Sequence, residues 1–342
     1  ERHPNRKQPS SMKIPYVSPS RLKKALECEF QYFLSYEWGW ADELFQYTFC
    51  SEFGSAVHYT LEEYAESKAT ADYKAIYDKH VMDLRPFSDD MMKAPSKARA
   101  SFFVDKNCED CPFFDPKKAS CGIMDQHVEH FEGCPKKLYN DGLMMVEQAI
   151  DRYGKYFKTG VKSKDNPNGK VIGIEAPTRE RADPDGKNIS WGKDDDGEDI
   201  LMNGFIDLVL EYDSETLMIV DYKTGYSVPQ HEKFIKDLQP RMYSFASRIM
   251  YPQYKYYWVQ FDYFRGIPME HAFTIDDDEQ TRREVTALYN RVKKARNIKR
   301  RGMDHYCKYL CNRPFCDKKW AELLAGVDGS NPASKPKEEK DE

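Results

Sequence analysis

Two short apolar segments joined by a polar turn constrain the fold of this chain more than any other feature. The segments are residues 204–210 and 217–223, and Tyr-Asp-Ser-Glu-Thr lies between them. Apolar runs of this length on either side of turn-forming residues predict a β-hairpin. In a hairpin centred on Ser214, Asp207 lies opposite Asp221, because the two positions are equidistant from the turn. The sequence therefore predicts two carboxylates that face each other on apolar strands.

These facing carboxylates need positive charge beside them. Like charges placed directly opposite each other destabilise a sheet, and a charge among apolar neighbours is costly unless it is paired. Strand side chains alternate, so Lys223 shares a face with Asp221 while Tyr222 points to the other face. Oxygen ligands of this kind suit Mg²⁺ or Mn²⁺, and such an ion activates a bound water. The residues predict a hydrolytic metal site; the alternative is an ordinary ion pair between Asp221 and Lys223.

The segments around the hairpin predict an α/β fold with a mixed central sheet flanked by helices. Ser18 before Pro19 is typical of a helix start, and a second helix is expected from about Gly54, with His58 in its first turns. Further helices are expected at about 138–156, 234–250 and 277–301, strands at 171–177 and 256–264, and a polar loop or hairpin tip at 181–199.

Four short motifs occur in a fixed order along the chain. They are Gly54-Ser-Ala-Val-His58, Gly204-Phe-Ile-Asp207, Asp221-Tyr-Lys-Thr-Gly225 and Gln239-Pro-Arg-Met-Tyr243. With these motifs the sequence resembles the RecB-like branch of the PD-(D/E)XK nuclease superfamily, and especially the CRISPR-associated type of exonuclease and its phage relatives. The resemblance implies a restriction-endonuclease-like core at residues 18–320, between an N-terminal arm (1–17) and a disordered tail (321–342).

The resemblance also implies a role for each matching residue. His58, Asp207, Asp221 and the backbone carbonyl of Tyr222 are expected to bind Mg²⁺ or Mn²⁺, while Asp207, Asp221 and Lys223 are expected to be catalytic. The implied function is a metal-dependent deoxyribonuclease, with exonuclease action on DNA ends or single strands favoured, in replication, recombination or repair.

Gln239 and Tyr243 match a further motif of the resembled family. Spaced i, i+4, they share one helix face and are expected to contact the metal site or the DNA strand. The alternative for this pair is a polar helix face with a half-buried tyrosine.

Two other functions remain open at this point. A non-catalytic DNA-binding or scaffold subunit of a helicase–nuclease or recombination assembly could use the same fold, although Asp207, Asp221 and Lys223 favour an enzyme. A structure-specific endonuclease is the second alternative. The chain has no Gly-x-x-x-x-Gly-Lys-Ser/Thr phosphate loop, so a helicase would be a separate partner.

The nine cysteines include a C-terminal group of three, Cys307, Cys311 and Cys316. Their density suits an iron–sulfur cluster, which takes four cysteines. Members of the resembled family that carry a cluster use one N-terminal cysteine, and Cys28 matches that position. The resemblance thus implies a structural [4Fe–4S] cluster in a cluster-bearing C-terminal segment, although the spacing is wider than the tighter pairing expected. Buried thiols are the alternative.

A second cysteine group lies in a segment without clear periodicity, which we call the Cys-rich insertion (about residues 86–135). Cys108, Cys111, Cys121 and Cys134 are expected to bind structural zinc, because four thiolates including a Cys-x-x-Cys pair suit this ion. His127 or His130 could replace one cysteine, and a second iron–sulfur cluster is the alternative.

A formal net charge of -5 excludes binding to nucleic acid by bulk positive charge, so DNA contact must use a local patch. Residues 291–301 hold seven basic side chains in eleven positions; the alternative is a solvated helix face. The basic residues expected to contact phosphates are Lys293, Lys294, Arg296, Lys299 and Arg300.

No apolar run of about eighteen residues occurs, which predicts a cytoplasmic protein without membrane contact. The resemblance implies that the cell is bacterial or phage-infected.

Overall fold

The computed structural model describes residues 16–40, 44, 49–82, 114–115, 120–121, 135–157, 170–177, 188–225, 227–294, 300 and 313–324. The chain divides into two compact units. We call residues 47–178 and 205–275 the sheet unit, and residues 1–46, 179–204 and 276–342 the terminal unit.

The described elements form groups of helices separated by groups of strands along the chain. The helices are α1 (Pro19–Glu27), α2 (Glu29–Tyr32), α3 (Phe49–Glu66), α4 (Tyr73–Met82), α5 (Pro135–Phe157), α6 (His231–Lys236), α7 (Leu238–Met250), α8 (Ile275–Lys293) and α9 (Arg313–Leu324), with a π-helical turn at Phe33–Glu37. The strands are β1 (Phe114–Asp115), β2 (Ser120–Cys121), β3 (Lys170–Pro177), β4 (Ser190–Lys193), β5 (Asp199–Leu201), β6 (Phe205–Glu211), β7 (Thr216–Lys223), β8 (Tyr256–Tyr263) and β9 (Met269–Ala272).

The sheet unit is built on a mixed five-stranded sheet in the order β3-β6-β7-β8-β9. Among the described strands of this sheet, only β7 and β8 run parallel to each other. The strands β6 and β7 form the expected hairpin, in which Leu208 pairs with Val220 and Leu210 with Met218, the register centred on Ser214. The prediction of a mixed α/β sheet is therefore confirmed.

Helices cover both faces of this sheet. Apolar residues of α3, α4 and α5 pack on the face that carries Leu208, Val220 and Tyr222. On the other face, α7 contacts β7 and β8, and Gln239 of α7 reaches Asp221. Burial of Tyr222 between strand and helices fixes the direction of its two neighbours, Asp221 and Lys223, toward the opposite face.

Several helix boundaries differ from the sequence expectation. Ser18 caps α1 as expected, its hydroxyl accepting from the Arg21 N–H at 3.2 Å, but the extended backbone of Cys28 separates α1 from α2. The next helix, α3, begins at Phe49 rather than near Gly54, so His58 lies in its middle and not in its first turns.

The helix expected at 234–250 is also two helices. Asp237 interrupts it, because the Asp237 carboxylate accepts the Gln239 N–H at 2.8 Å and caps α7. The strand β9 is absent from the sequence prediction, since Met-Glu-His-Ala gives no alternation of apolar and polar residues.

The terminal unit contains α1, α2, α8, α9 and the β4–β5 hairpin, whose residue Trp191 is fully buried. The polar segment 181–199 therefore includes β4 and the turn into β5, while residues 178–187 lie outside the described part. Val17 forms a β-bridge with Met202. The last residue of the expected N-terminal arm (1–17) is therefore part of the folded terminal unit. The helix α9 continues to Leu324, past the expected start of the tail.

Within the described residues, no helix is long and apolar enough to cross a membrane.

Candidate active site

The hairpin brings its two aspartates together as the sequence predicts. Asp207 directly precedes Leu208 and Asp221 directly follows Val220, so both carboxylates lie at the same end of the hairpin and interact electrostatically. The Asp207 Oδ2 accepts the backbone N–H of Tyr222 at 2.7 Å and lies 3.4 Å from Nδ1 of His58. His58 of α3 therefore reaches the same end of the hairpin as the carboxylates.

Lys223 is held against Asp221 on the same strand face. Its Nζ lies 2.5 Å from Asp221 Oδ2 and 4.4 Å from the centre of the Phe261 ring. The side chain of Asp221 is only 5% exposed, and its Oδ2 is buried without an aligned hydrogen bond. The ion pair with Lys223 is thus the main compensation for a buried charge.

The Gln239 amide connects the lysine and the aspartate. Its Oε1 accepts from Lys223 Nζ at 3.0 Å, and its Nε2 donates to Asp221 Oδ1 at 2.9 Å and to the Tyr243 hydroxyl at 3.1 Å. The Tyr243 hydroxyl in turn donates to the Phe205 carbonyl at 2.9 Å. Gln239 and Tyr243 share one helix face, and both are turned toward protein groups of the site.

The electrostatic interaction between Asp207 and Asp221 favours a cation bound between them. The pKa of Asp221 is raised to about 6, because burial penalises its charged form and the charge of Asp207 adds to this, while Lys223 opposes it. A divalent cation between the carboxylates would stabilise both in the ionised state. Two carboxylates and the His58 imidazole are also a donor set that suits Mg²⁺ or Mn²⁺.

The carboxylates nevertheless point to protein partners in this structure. Among the described residues, no three His, Cys, Asp or Glu side chains are grouped as ligands of one ion. Asp207 is engaged by the Tyr222 N–H, and Asp221 by Lys223 and Gln239. Metal binding by His58, Asp207, Asp221 and the Tyr222 carbonyl therefore stays a prediction.

An open cleft of about 650 Å³ gives access to His58 and Asp207. Sequence reasoning missed Glu62 in this cleft, although it lies one turn after His58 and the i, i+4 spacing places both on one face of α3. Burial raises the pKa of Glu62, and the nearby charge of Glu66 raises it further. The lining residues are Gly54, Ser55, His58, Tyr59, Glu62, Phe205, Asp207 and Thr224.

The segment that follows Lys223 is fixed by close contacts. A Cβ on Gly54 would lie 2.7 Å from Thr224 Oγ1, so glycine permits α3 and Thr224 to approach each other. Arg265 Nε donates to the Thr224 carbonyl at 3.2 Å, and Arg265 is itself paired with Asp141 at 2.6 Å. These contacts place Thr224 at the cleft wall and orient the end of β7.

The basic run in the terminal unit is partly occupied by acidic partners. Lys293 Nζ lies 2.5 Å from Asp194 Oδ2 and 2.6 Å from Asp196 Oδ2, and Lys294 pairs with Asp195. Arg300 pairs with Asp317. Arg296 and Lys299 lie outside the described residues. A phosphate-binding role for the run stays a prediction, and the ion pairs favour a structural role for Lys293.

Of the eight cysteines expected to bind metals, two have described side chains. Cys316 is buried in an apolar cluster of the terminal unit with Phe30 and Trp40, and the half-buried Cys28 packs against the same cluster. The β1–β2 ladder pairs Phe114 with Cys121, but the Cys121 side chain is not described. The other five, Cys108, Cys111, Cys134, Cys307 and Cys311, lie outside the described residues.

Comparison with known proteins agrees with this geometry at the level of the family. The family model of the PD-(D/E)XK nuclease superfamily matches residues 16–109 and 123–317, well over half of the chain. A comparison with curated proteins found no significant match. The matched ranges contain all four motifs and every residue of the candidate active site.

Proposed function

The chain belongs to the PD-(D/E)XK nuclease superfamily, and from this premise we propose that it is a divalent-metal-dependent deoxyribonuclease. Exonuclease action on DNA ends or single strands is the proposed mode, and the RecB-like branch is the proposed subgroup. One observation carries the proposal: Asp207 and Asp221 lie together on the β6–β7 hairpin with Lys223 Nζ 2.5 Å from Asp221.

Different residues of the site have different roles in the proposed hydrolysis of a phosphodiester bond. Asp207, Asp221, His58 and the Tyr222 carbonyl would hold Mg²⁺ or Mn²⁺, which when bound supplies activation of a water and neutralisation of phosphate charge. The Lys223 ammonium orients the attacking water and stabilises negative charge that builds on the phosphate. The cleft beside His58 admits the substrate strand.

Gln239 acts on this site through other residues. Because its amide contacts both Lys223 and Asp221, it holds the ammonium at a fixed distance from the carboxylate. Tyr243 fixes Gln239 and connects it to the Phe205 backbone, next to the cleft. We therefore assign these two residues to positioning rather than to metal binding.

The terminal unit is proposed to carry a structural [4Fe–4S] cluster on Cys28, Cys307, Cys311 and Cys316. The described members of this set support it, because Cys28 and Cys316 pack at the same apolar cluster although they are far apart in sequence. Cys108, Cys111, Cys121 and Cys134 are proposed to bind zinc, on the sequence pattern alone.

The decisive experiment measures degradation of end-labelled linear DNA and circular single-stranded DNA by the full chain, with Mg²⁺, Mn²⁺ or chelator. We expect degradation only with metal, loss of it in Asp221→Asn and Lys223→Met, and no loss in the exposed control Lys255→Met. Cleavage of circles would replace the exonuclease assignment by an endonuclease. Full activity of well-folded Lys223→Met would refute the site, and DNA binding without cleavage would favour a scaffold subunit.

A further inference from the structure

Two exposed aromatic side chains stand in the cleft that leads to His58 and Asp207. Tyr59 is 54% exposed and Phe205 is 52% exposed, whereas most of the described large apolar side chains of the sheet unit are buried. Tyr59 follows His58 on α3, and Phe205 precedes Asp207 by two residues on β6. The candidate metal ligands on both elements thus have an exposed ring beside them.

Both rings have more than half of their side-chain surface outside the packed interior of the sheet unit. The centre of the Tyr59 ring lies 5.6 Å from that of the His80 ring, and more than half of the Tyr59 side chain stays exposed. At Phe205, the hydrogen bond from the Tyr243 hydroxyl goes to the backbone carbonyl, and the ring stays at the surface. Single exposed apolar side chains are common on proteins, but two in one cleft beside a candidate catalytic site favour a binding role.

The charge of the cleft indicates what the rings would bind. Among the eight described residues that line the cleft, none is Lys or Arg, and Glu62 and Asp207 are acidic. These eight side chains therefore offer no ammonium or guanidinium group to the phosphates, although contact between such groups and phosphates is the usual source of affinity for nucleic acid. Stacking of bases on aromatic rings is the other general source, and it needs no positive charge.

We propose that Tyr59 and Phe205 form a stacking site for unpaired nucleotides next to the scissile phosphate, so the substrate class is single-stranded DNA or a frayed end. This inference rests on the proposed nuclease function and specifies its substrate. Inside a duplex, both faces of each internal base are covered by neighbours, and unstacking costs a few kcal/mol. Stacking of successive bases on the two rings therefore costs least for a strand that is already unpaired.

The test measures binding of fluorescent oligothymidylate and of a blunt duplex, in chelator so that no strand is cut. Tyr59→Ala and Phe205→Ala should each weaken single-strand binding about tenfold. Tyr59→Phe and Phe205→Tyr should retain it. The matched control is Tyr256→Ala, because Tyr256 is 45% exposed and lies outside the residues that line the cleft. Duplex binding should change little in any variant.

A second measurement locates the contact on the strand. Oligonucleotides with one abasic position, moved along the strand, should lose affinity at the positions that stack and nowhere else. These losses should disappear in the Tyr59→Ala, Phe205→Ala double variant. Affinity that is indifferent to abasic positions, or equal losses for single strand and duplex in the alanine variants, would overturn the stacking site.

The result also separates this inference from the function on which it rests. If the chain cuts no DNA but the alanine variants still lose single-strand binding selectively, the nuclease assignment fails and the stacking site stands. If the chain cuts DNA and wild type, alanine variants and control bind single strands equally, the stacking site fails and the nuclease assignment stands.

Discussion

The side-chain amide of Gln239 donates a hydrogen bond to Asp221 Oδ1 across 2.9 Å, from the first turn of α7 to the strand β7. The same amide accepts from Lys223. A helix residue thereby controls the geometry of two strand residues, so the candidate active site depends on how α7 packs on the sheet. The capping of α7 by Asp237 contributes to this control, since it fixes where the helix begins.

We expect Gln239→Ala to lower the turnover number about ten- to hundredfold, in the range found for residues that orient metal ligands. The affinity for DNA should change much less, because the amide contacts Asp221 and Lys223 rather than the cleft. Steady-state kinetics with a separate binding measurement would show this division. Tyr243→Phe should have a smaller effect of the same kind. If instead DNA affinity fell and turnover were kept, a direct contact with the strand would be the correct role.

Glu62→Gln should weaken the binding of Mn²⁺ by about fivefold, because a carboxylate that lines the cleft attracts a cation placed near Asp207. Calorimetric titration of the purified chain with Mn²⁺ measures this effect without reference to catalysis. Glu66→Gln is the matched control: it lies one turn further along α3 and does not line the cleft. Equal affinities of the Glu62 variant and wild type would contradict a role for this carboxylate.

The sequence was sufficient to predict the centre of the site because the β-hairpin is a local structure. Its register follows from the turn, so the proximity of Asp207 and Asp221 could be read from position alone. The helix face shared by Gln239 and Tyr243 was predictable for the same reason. Whether these side chains would turn to DNA or to Asp221 and Lys223 was not, since that depends on packing between α7 and the sheet.

Other features required the tertiary structure. Exposure of Tyr59 and Phe205 cannot be seen in the sequence, where both look like core residues next to a motif. Lys293 reads as part of a basic surface, because its partner Asp194 is distant in sequence. Gly54 belongs to a motif that is visible in the sequence, but the close approach of Gly54 to Thr224 depends on how α3 meets the end of β7.

Two glycines of α5 should respond differently to alanine. A Cβ on Gly142 would overlap the hydroxyl of the fully buried Tyr77, so Gly142→Ala should destabilise the chain by about 1–3 kcal/mol, as overpacking does. A Cβ on Gly154 would lie 3.3 Å from a methyl group of Ile150, and the gain in helix propensity, up to about 1 kcal/mol, should offset this crowding. Chemical unfolding of both variants provides the comparison.

A double variant tests the cause assigned to Gly142. Tyr77→Phe removes the hydroxyl that the new methyl group would meet, along with its hydrogen bond to the Tyr139 carbonyl. Gly142→Ala should therefore cost less in the Tyr77→Phe background than in the wild type. Equal costs in the two backgrounds would show that the contact with Tyr77 is not responsible.

The neighbouring residues Lys293 and Lys294 should contribute unequally to stability. Lys293 is 15% exposed and contacts the buried side chain of Asp194. Lys294 is 58% exposed, and its partner Asp195 is 51% exposed. Lys293→Met should cost about 1–3 kcal/mol, because it removes the positive charge beside a buried carboxylate, whose other oxygen keeps two backbone N–H donors. Lys294→Met should cost less than about 1 kcal/mol, as expected for an exposed pair. Similar losses for the two variants would contradict the difference in burial.

The same pair predicts the pH dependence of stability. The hydrogen bond with Lys293 lowers the pKa of Asp194 below 3.8, and the Asp194 carboxylate raises the pKa of Lys293 above 10.5. The stabilisation is therefore present at neutral pH. It is lost as the pH falls below 3.8 toward the folded pKa of Asp194, and as the pH rises above 10.5. Thermal unfolding of Lys293→Met should depend less on pH in both ranges than that of the wild type.

The final prediction concerns Cys28 and Cys316, which pack at one apolar cluster with Phe30 and Trp40. If they hold a [4Fe–4S] cluster with Cys307 and Cys311, anaerobically purified chain should be brown and contain about four iron atoms.

Loss of this cluster should also loosen the terminal unit, because the ligands join segments nearly the whole chain apart and bound metal favours the folded state. Cys28→Ser should therefore bleach the colour and lower the unfolding temperature. Cys50→Ser, at the one cysteine outside both groups, is a control that should keep the colour, and Cys108→Ser should release zinc while the colour remains. Iron-free protein from an anaerobic preparation, with unaltered stability in Cys28→Ser, would contradict the iron–sulfur cluster. Cys28 and Cys316 would then only pack against the apolar side chains around Phe30.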